Sequence, residues 1–221
     1  MLTLKILITG FEPFGGETLN PSWEVAKQLD GLMVSGAALA VVQLPCVFSK
    51  SLQLLSQAIE LHQPNMVLSL GQADGRSDFS IERVAINVCD ARIPDNEGAQ
   101  PIDEPVVAHG PAAYFSSLPI KKMASALKAQ GFPAAISQTA GTFVCNQVFY
   151  GLQHALKGKG VMSGFVHVPL LPAQVANRSG ASLASMSTET LKAALLCAIE
   201  VMILHAQQGG TDAKVQMGAT D

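Results

Sequence analysis

The sequence predicts an α/β protein, built as a single-domain three-layer sandwich with a mostly parallel, twisted sheet and helices on both faces. Short apolar runs alternate with segments of helical spacing, and this βαβα order is typical of a parallel sheet. The runs LKILITG (4–10) and NMVLSLG (65–71) are apolar almost throughout, as expected of buried strands. No internal repeat and no linker divides the 221 residues, which favours one domain over two.

The elements can be assigned in chain order from their periodicity. Five apolar runs are predicted as strands, at 4–10, 39–45, 65–71, 134–140 and 164–171. Four segments between them have helical spacing, at 21–30, 49–63, 120–131 and 146–158. Asn20 before Pro21 is a typical helix start, because a capping side chain precedes proline at the first helical position. Gly131 and Gly158 follow their helices as C-terminal caps.

The remaining segments are assigned by composition as well as by spacing. Residues 79–92 alternate enough to add a strand or a hairpin, whereas 93–118 are rich in Pro, Gly, Asp and Asn and predict an ordered excursion over one face. The apolar stretch 191–206 is interrupted by charged residues and lacks the roughly 18 uninterrupted apolar residues of a membrane span, so a packed helix is predicted. We therefore place one α/β domain at 1–206 and a loose tail at 207–221.

The composition limits the class of protein. Hydrophobic residues make up 48% of the chain and charged residues 14%, against about 25% charged in an average soluble domain. So little polar cover predicts that apolar surface is buried between subunits. A net charge of −3 without a lysine or arginine cluster argues against nucleic-acid binding.

The amino-terminal run and the cysteines predict a cytoplasmic protein. The run MLTLKILITG is short, contains a lysine and enters a glycine loop, so it is interpreted as a first strand and not as a signal peptide. The four cysteines are scattered without a C-x-x-C pair. Reduced thiols are therefore expected, rather than disulfides or a zinc site.

The glycine-rich loop TGFEPFGGE (9–17) matches a phosphate-binding loop only in part. Gly10 and Gly15 have the spacing of such a loop, but the dipeptide Gly-Glu stands where Lys-Ser/Thr is required. A carboxylate at this place would repel a triphosphate. Two interpretations stay open: a tight strand-to-helix connection, or a loop that offers the rings of Phe11 and Phe14 and excludes anions.

A cysteine and a histidine could form a nucleophilic site. Cys145 lies where the Gly-Thr loop of AGTFVCNQVFYGLQH becomes a helix, and a helix start favours a thiolate. We expect it at the carboxyl edge of the sheet, where open α/β sheets keep their active sites. His167 interrupts the apolar run GFVHVPLL near the end of a strand. His167 is either a buried core histidine whose hydrogen bonds are satisfied, or a base that contacts Cys145. In the first case Cys145 is interpreted as a packing residue.

Two further charged residues could complete such a site. Glu82, in IERVAIN, could orient an imidazole, or it could form an ion pair with Arg83 or Arg76. Arg92, in DARIPDN, could be a salt-bridge residue or could stabilise an oxyanion. Composition and spacing therefore lead to a Cys-His-acid site of unknown substrate, and they leave these alternatives open.

Four blocks of the sequence carry a resemblance to a known family, in the family's order. They are GFEPFGGETLNPSWEVAKQL, LGQADGRSDFSIERVAINVCDARIPDNEGAQPID, SQTAGTFVCNQVFYGLQH and GFVHVPLLPAQ. Over 4–204 the chain resembles the pyrrolidone-carboxylate peptidase (pyroglutamyl-peptidase I) family. It departs from the family pattern at Cys89, where asparagine is expected, and at Ile81, where proline is frequent. Neither departure touches a catalytic position.

The resemblance implies a cysteine peptidase that removes an amino-terminal pyroglutamyl residue from peptides, without a metal or a cofactor. By motif, Cys145 is the nucleophile, His167 is the base and later the acid, and Glu82 orients the imidazole. Arg92 contributes to an oxyanion site beside the backbone N–H of Cys145. The family is also a homotetramer, which agrees with the low content of charged residues.

The resemblance also implies a substrate pocket. Phe11 and Phe14 form its aromatic walls, Gln72 binds the lactam, and Asn20 braces the loop. These residues suit a pyroglutamyl group, which is flat, uncharged and without an ammonium. Two alternatives remain. One is a binding protein with a decayed site, which would be marked by loss of a triad residue. The other is a phosphorolytic nucleoside-cleaving enzyme, which needs a phosphate loop.

Overall fold

The computed structural model describes residues 3–176, 178 and 183–218. Its strands are β1 (Leu4–Phe11), β2 (Met33–Val34), β3 (Ala37–Leu44), β4 (Met66–Gln72), β5 (Phe79–Glu82), β6 (Val84–Ile86), β7 (Ala113–Phe115), β8 (Ala134–Ser137) and β9 (Met162–Val168). Its helices are α1 (Pro21–Ala26), α2 (Phe48–His62), α3 (Ile120–Ala129), α4 (Val144–Leu156), α5 (Pro172–Val175) and α6 (Thr188–Gln208). A 3-10 turn at Lys27–Leu29 continues α1.

Seven strands form one sheet in the order β2-β3-β1-β4-β9-β5-β8, and β6 and β7 form a separate antiparallel pair. β1 is parallel to β3 and to β4, β4 is parallel to β9, and β5 is parallel to β8. The other two pairings of the sheet, β2 with β3 and β5 with β9, are antiparallel. The predicted fold class, an α/β domain with a mostly parallel sheet, is confirmed.

Two apolar cores cover the two faces of the sheet. On β1, Ile6 and Ile8 belong to the core under α1, α3 and α6, whereas Leu7 and Phe11 belong to the core under α2 and α4. The split follows from the strand period of two, which sends successive side chains to opposite faces. Helices on both faces give the three layers that the sequence predicts.

The predicted ends of two strands extend too far. β8 stops at Ser137, whose hydroxyl accepts the backbone N–H of Thr139 and so closes a turn. β9 stops at Val168 because Pro169 has no N–H to donate to the sheet. The segment 79–92 divides, since β5 joins the large sheet and β6 pairs with β7.

The apolar stretch predicted as a packed helix at 191–206 is α6. The helix is longer than predicted at both ends, and its apolar side chains lie in the core that it shares with α1 and α3. In the part of the chain that the structure describes, no helix is both long and apolar enough to cross a membrane.

The chain after α6 is irregular but contacts the domain. The carboxylate of Asp212 accepts the backbone N–H groups of Lys121 and Lys122, in the first turn of α3. These N–H groups have no partner within the helix, so the contact satisfies them. Residues 219–221 lie outside the described residues, and the loose tail at 207–221 stays a prediction.

Candidate active site

Cys145, His167 and Glu82 come together on one face of the sheet, near the carboxyl ends of β4 and β9. His167 lies one residue before the end of β9, and its register partner on parallel β4 is Gly71. Glu82 is the last residue of β5, the antiparallel neighbour of β9. α4 covers this face, with Cys145 in its first turn. The structure thus groups the three residues that the sequence predicts as a nucleophilic site.

The route of the chain to Cys145 differs from the prediction. The sequence suggests that Cys145 follows the carboxyl end of a strand at this edge. However, β8 is parallel to β5 and therefore runs opposite to β4 and β9. The segment 138–143 connects β8 to α4. Strand direction is not encoded in an apolar pattern, which is why the expectation was wrong on this point.

Gly71 allows the sulfur to approach the sheet. A Cβ atom at Gly71 would lie 2.9 Å from Sγ of Cys145 and 2.8 Å from the ring of Phe165, closer than real side-chain contacts. Only glycine therefore fits between the sulfur and the strand that pairs with His167. Sequence reasoning missed Gly71, although an isolated glycine within a strand indicates close approach of another group.

His167 is buried and hydrogen-bonded to a carboxylate. It is 4% exposed, and its Nδ1 lies 2.7 Å from Oε1 of Glu82, which is fully buried. Since a carboxylate only accepts hydrogen bonds, Nδ1 carries the proton and Nε2 is the basic nitrogen. The ring of Phe165 packs against the imidazole, with centroids 4.9 Å apart. An imidazole held in this way is oriented for proton transfer.

Glu82 forms both kinds of contact that the sequence left as alternatives. Its Oε1 accepts the hydrogen bond from His167 and a second one, also at 2.7 Å, from Nη1 of Arg76. Nη2 of Arg76 donates to the carbonyl of Thr139 at 2.9 Å. Among the described residues, Arg83 forms no ion pair with Glu82, and Oε2 of Glu82 is buried without a hydrogen-bond partner. An ion pair and an orienting role are therefore compatible.

The surroundings of Cys145 disfavour the thiolate. Burial, and after it the negative charge of Glu82, raise its pKa to about 12. Arg76 and the backbone N–H of Cys145 lower this pKa, but burial outweighs them and the effect expected of a helix start. No hydrogen bond joins Sγ to His167 within the described residues. The unliganded site therefore favours the thiol over the thiolate.

A cavity of about 410 Å³ opens beside the first turn of α4. Its lining residues are Phe14, Asp74, Asp90, Arg92, Ile93, Thr142 and Phe143. The rings of Phe14 and Phe143 lie 6.0 Å apart and form an aromatic wall. Arg92 is exposed and forms no ion pair among the described residues, so its guanidinium is free to bind a ligand. Sequence reasoning missed Ile93 and Phe143, whose one signal is their position next to Arg92 and close to Cys145.

Gln72, the last residue of β4, is hydrogen-bonded to Gln174 of α5. Oε1 of Gln174 accepts the backbone N–H of Leu171 at 3.0 Å, so Nε2 of Gln174 is its donor side. This Nε2 has three acceptors within hydrogen-bond distance: Oε1 of Gln72 at 3.1 Å, and the carbonyl of Leu19 and Oε2 of Glu17, both at 3.3 Å. The N–H groups of the Gln72 amide therefore remain for a ligand. The sequence singled out Gln72 but not Gln174.

The sequence matches a known family over nearly its whole length. A family model described as pyroglutamyl peptidase matches residues 4–205. The chain belongs to the pyroglutamyl peptidase family. It is 57% identical over 216 residues to a pyrrolidone-carboxylate peptidase of Klebsiella pneumoniae (strain 342), and the match covers 97% of this chain and 98% of the relative.

Solved structures of the family share the fold. The chain superposes on pyroglutamyl peptidase I of Bacillus amyloliquefaciens with a TM-score of 0.91 at 44% identity, over 97% of this chain and 100% of the other. It superposes on pyrrolidone carboxyl peptidase of Thermococcus litoralis with a TM-score of 0.93 at 38% identity, over 96% and 99% of the two chains. The resemblance inferred from the four sequence blocks is confirmed.

The two phenylalanines that the family resemblance assigns to the pocket differ in exposure. Phe14 lines the cavity, whereas Phe11 is 2% exposed and lies in the core under α2 and α4. The ring of Phe11 is 6.4 Å from that of Phe165, which in turn packs on His167. Phe11 therefore supports the site from below in this structure.

Asn20 is also buried, and both polar atoms of its side chain are hydrogen-bonded. Its Oδ1 accepts hydrogen bonds from the backbone N–H and the hydroxyl of Ser22, and its Nδ2 donates to the carbonyl of Glu12. Ser22 in turn accepts the backbone N–H of Phe11. These contacts tie the start of α1 to the end of β1 and hold the glycine-rich loop between them.

Proposed function

We propose that Cys145, His167 and Glu82 are the catalytic triad of this pyroglutamyl peptidase. The chain is a cysteine peptidase that removes pyroglutamate from the amino terminus of peptides. The observation that carries the triad is the 2.7 Å contact between Nδ1 of His167 and the buried carboxylate of Glu82. It orients the imidazole on the face where Sγ of Cys145 approaches Gly71.

Hydrolysis proceeds in two steps through an acyl-enzyme. Nε2 of His167 takes the proton of the Cys145 thiol while the sulfur attacks the pyroglutamyl carbonyl carbon. The backbone N–H of Cys145 and the guanidinium of Arg92 stabilise the resulting oxyanion. His167 then protonates the departing amine as the C–N bond breaks. Water, deprotonated by His167, attacks the thioester, and pyroglutamate leaves as the sulfur regains its proton.

The cavity beside α4 is the proposed pocket for the pyroglutamyl ring. Phe14, Ile93 and Phe143 offer it apolar walls, which suit a flat lactam that carries no charge. Asn20 supports this pocket through the loop that carries Phe14, and its buried amide is occupied within the protein.

Gln72 is proposed to recognise the ring carbonyl. Because Gln174 binds Oε1 of the Gln72 amide, the group that Gln72 offers to a ligand is an N–H donor. A donor pairs with the ring carbonyl of pyroglutamate and finds no partner on proline. Gln174 thus sets the direction of the hydrogen bond that Gln72 can make.

Replacing Gln174 by methionine, which has a similar length and no amide, should loosen the orientation of Gln72. The loss of about one net hydrogen bond predicts a KM for a pyroglutamyl amide about tenfold higher, with kcat within about twofold. Gln153→Met is a matched control, because both glutamines are 7% exposed and Gln153 is bonded to Ser163 at the start of β9. An equal rise of KM in the two variants contradicts the role of Gln174.

Replacing Glu82 by glutamine tests the triad itself. The amide keeps the size of the side chain but not the charge that stabilises an imidazolium, so kcat should fall about 10²- to 10⁴-fold with pyroglutamate affinity unchanged. Release of a fluorescent amine from a pyroglutamyl amide measures kcat. Glu24→Gln, which breaks a half-exposed ion pair with Lys27, should leave it unchanged. If kcat is unaltered in Glu82→Gln, Glu82 is only an ion-pair partner of Arg76.

The assembly and the location are proposed as a cytoplasmic homotetramer. Large apolar side chains are exposed on the isolated chain, among them Met33 at 61%, Leu61 at 78% and Phe115 at 73%. Such side chains are typical of subunit interfaces when they lie in contiguous patches. All four cysteines are free thiols, as suits a reducing compartment: Cys46, Cys89, Cys145 and Cys197.

A further inference from the structure

One oxygen atom of Glu82 serves two donors of different kinds. Oε1 accepts hydrogen bonds from His167, a ring that gains and loses a proton, and from Arg76, a cation that keeps its proton. Glu82 is fully buried, and the side chain of Arg76 is only 29% exposed. The second arm of Arg76 reaches the carbonyl of Thr139, in the segment that leads from β8 to α4. Arg76 therefore contacts the acid and the connection to the nucleophile at once.

A buried carboxylate requires a compensating positive charge. Among the described residues, the side-chain donors to Glu82 are His167 and Arg76. The imidazole changes its charge during proton transfer, whereas the guanidinium keeps its charge. With Arg76 on the same oxygen, a cation therefore lies beside Glu82 whether the imidazole is neutral or protonated.

We propose that Arg76 is a positioning residue for hydrolysis, which balances the negative charge of buried Glu82 and holds it in place to orient His167 for proton exchange with Cys145. This inference rests on the proposed triad and goes beyond it, because Arg76 touches neither the cavity nor the sulfur. Its guanidinium acts through Glu82 and through the loop at Thr139.

Other charged and titratable groups lie around the sulfur among the described residues. They include Glu82 on β5, His167 on β9, the buried Cys46 before α2 with Glu12 and Asp95 beside it, and Arg92 in the adjacent cavity. Arg76 is the cation among the described residues that lowers the pKa of Cys145, against burial and Glu82. Arg178 is held elsewhere, in ion pairs with Glu17 and Asp74.

Three variants separate charge from geometry: Arg76→Gln, Arg76→Lys and, as a matched control, Arg83→Gln. Arg83 is the sequence neighbour of Glu82 but does not pair with it, so its loss removes the same charge without the contact. For each variant, the rate of alkylation of Cys145 by iodoacetamide is measured at pH 7, together with kcat and KM on a pyroglutamyl amide. Thermal melting shows whether each variant is folded.

Arg76→Gln should slow the alkylation of Cys145 at pH 7 about tenfold, because loss of the nearby cation disfavours the thiolate. kcat should fall at least about tenfold with KM within about threefold, because proton transfer is impaired and the cavity is intact. Arg76→Lys, which keeps the charge but not both contacts, should melt lower while retaining most of the wild-type alkylation rate. Arg83→Gln should match the wild type in alkylation rate and kcat.

A wild-type alkylation rate and kcat in folded Arg76→Gln would overturn the inference. So would equal losses of kcat in Arg76→Gln and Arg76→Lys with an unchanged alkylation rate, because Arg76 would then act only as a structural clamp. Failure of the triad itself is detected separately, as activity that survives in Cys145→Ala with Arg76 intact.

Discussion

Replacing Cys145 by alanine is expected to reduce hydrolysis of a pyroglutamyl amide by at least about a thousandfold while pyroglutamate still binds. Without the sulfur no acyl-enzyme can form, and only slow attack by water in the pocket remains. Binding persists because the cavity wall comes from other residues, among them Phe14 and Phe143. Release of the amine measures hydrolysis, and the rise of melting temperature with added pyroglutamate measures binding.

Cys46→Ala and Cys197→Ala are the matched controls and should keep near-full activity. Both thiols are buried, at 2% and 5% exposure, so their truncation costs packing but no chemistry. Cys46 is the stricter control, because it lies in the same core as α4 and burial raises the pKa of its thiol as well. Comparable loss in all three variants would mean that Cys145 acts through packing.

Selectivity is the second large effect. Cleavage of pyroglutamyl amides should exceed that of prolyl amides by at least about a hundredfold in kcat/KM. The two rings have nearly the same size, so aromatic walls separate them poorly. Proline lacks the ring carbonyl, which leaves the N–H of Gln72 unpaired at a cost of about 1–3 kcal/mol. Its ring nitrogen is a charged amine, and transfer of this charge into an apolar cavity adds to that cost. Each loss of about 1.4 kcal/mol in transition-state binding lowers kcat/KM about tenfold.

Two variants test the two sources of binding, the hydrogen bond of Gln72 and the aromatic wall of the cavity. Gln72→Leu should lower kcat/KM for the pyroglutamyl amide and narrow the gap to the prolyl amide. Phe14→Ala should weaken the binding of both substrates to a similar extent, because it removes apolar wall area that both rings contact. If the wild-type protein cleaves both amides equally well, the lactam pocket is wrongly assigned even when Cys145→Ala is inactive.

The secondary structure was predictable where it depends on residues that are close together in the sequence. The runs at 4–10 and 65–71 are β1 and β4, Asn20 caps α1, and Gly158 has the positive φ of +76° expected after a helix. Burial and capping are set within a few positions of the chain, so periodicity and residue type report them. The direction of β8 was not predictable, because an apolar strand has the same pattern in either direction.

The sequence singled out the residues of the candidate site, but not the contacts between them. Motifs identify Cys145, His167 and Glu82 individually, and the family to which those motifs point is confirmed. Spacing could not decide between an ion pair and an orienting role for Glu82, because its hydrogen bond to His167 spans 85 residues. The cavity residue Phe143 had no distinguishing feature in the sequence beyond its place two residues before the cysteine.

By itself the sequence determined the fold class and the family, and it identified the residues that we propose to carry the chemistry. Only the tertiary structure decided that Arg76 and His167 share one oxygen of Glu82, and that Gln174 turns the amide of Gln72 across 102 positions of the chain. The physical reason is that periodicity specifies the face of an element, which is a local property. A hydrogen bond between distant segments depends on strand register and loop path, and a slip of one residue would turn the same side chains to the opposite face.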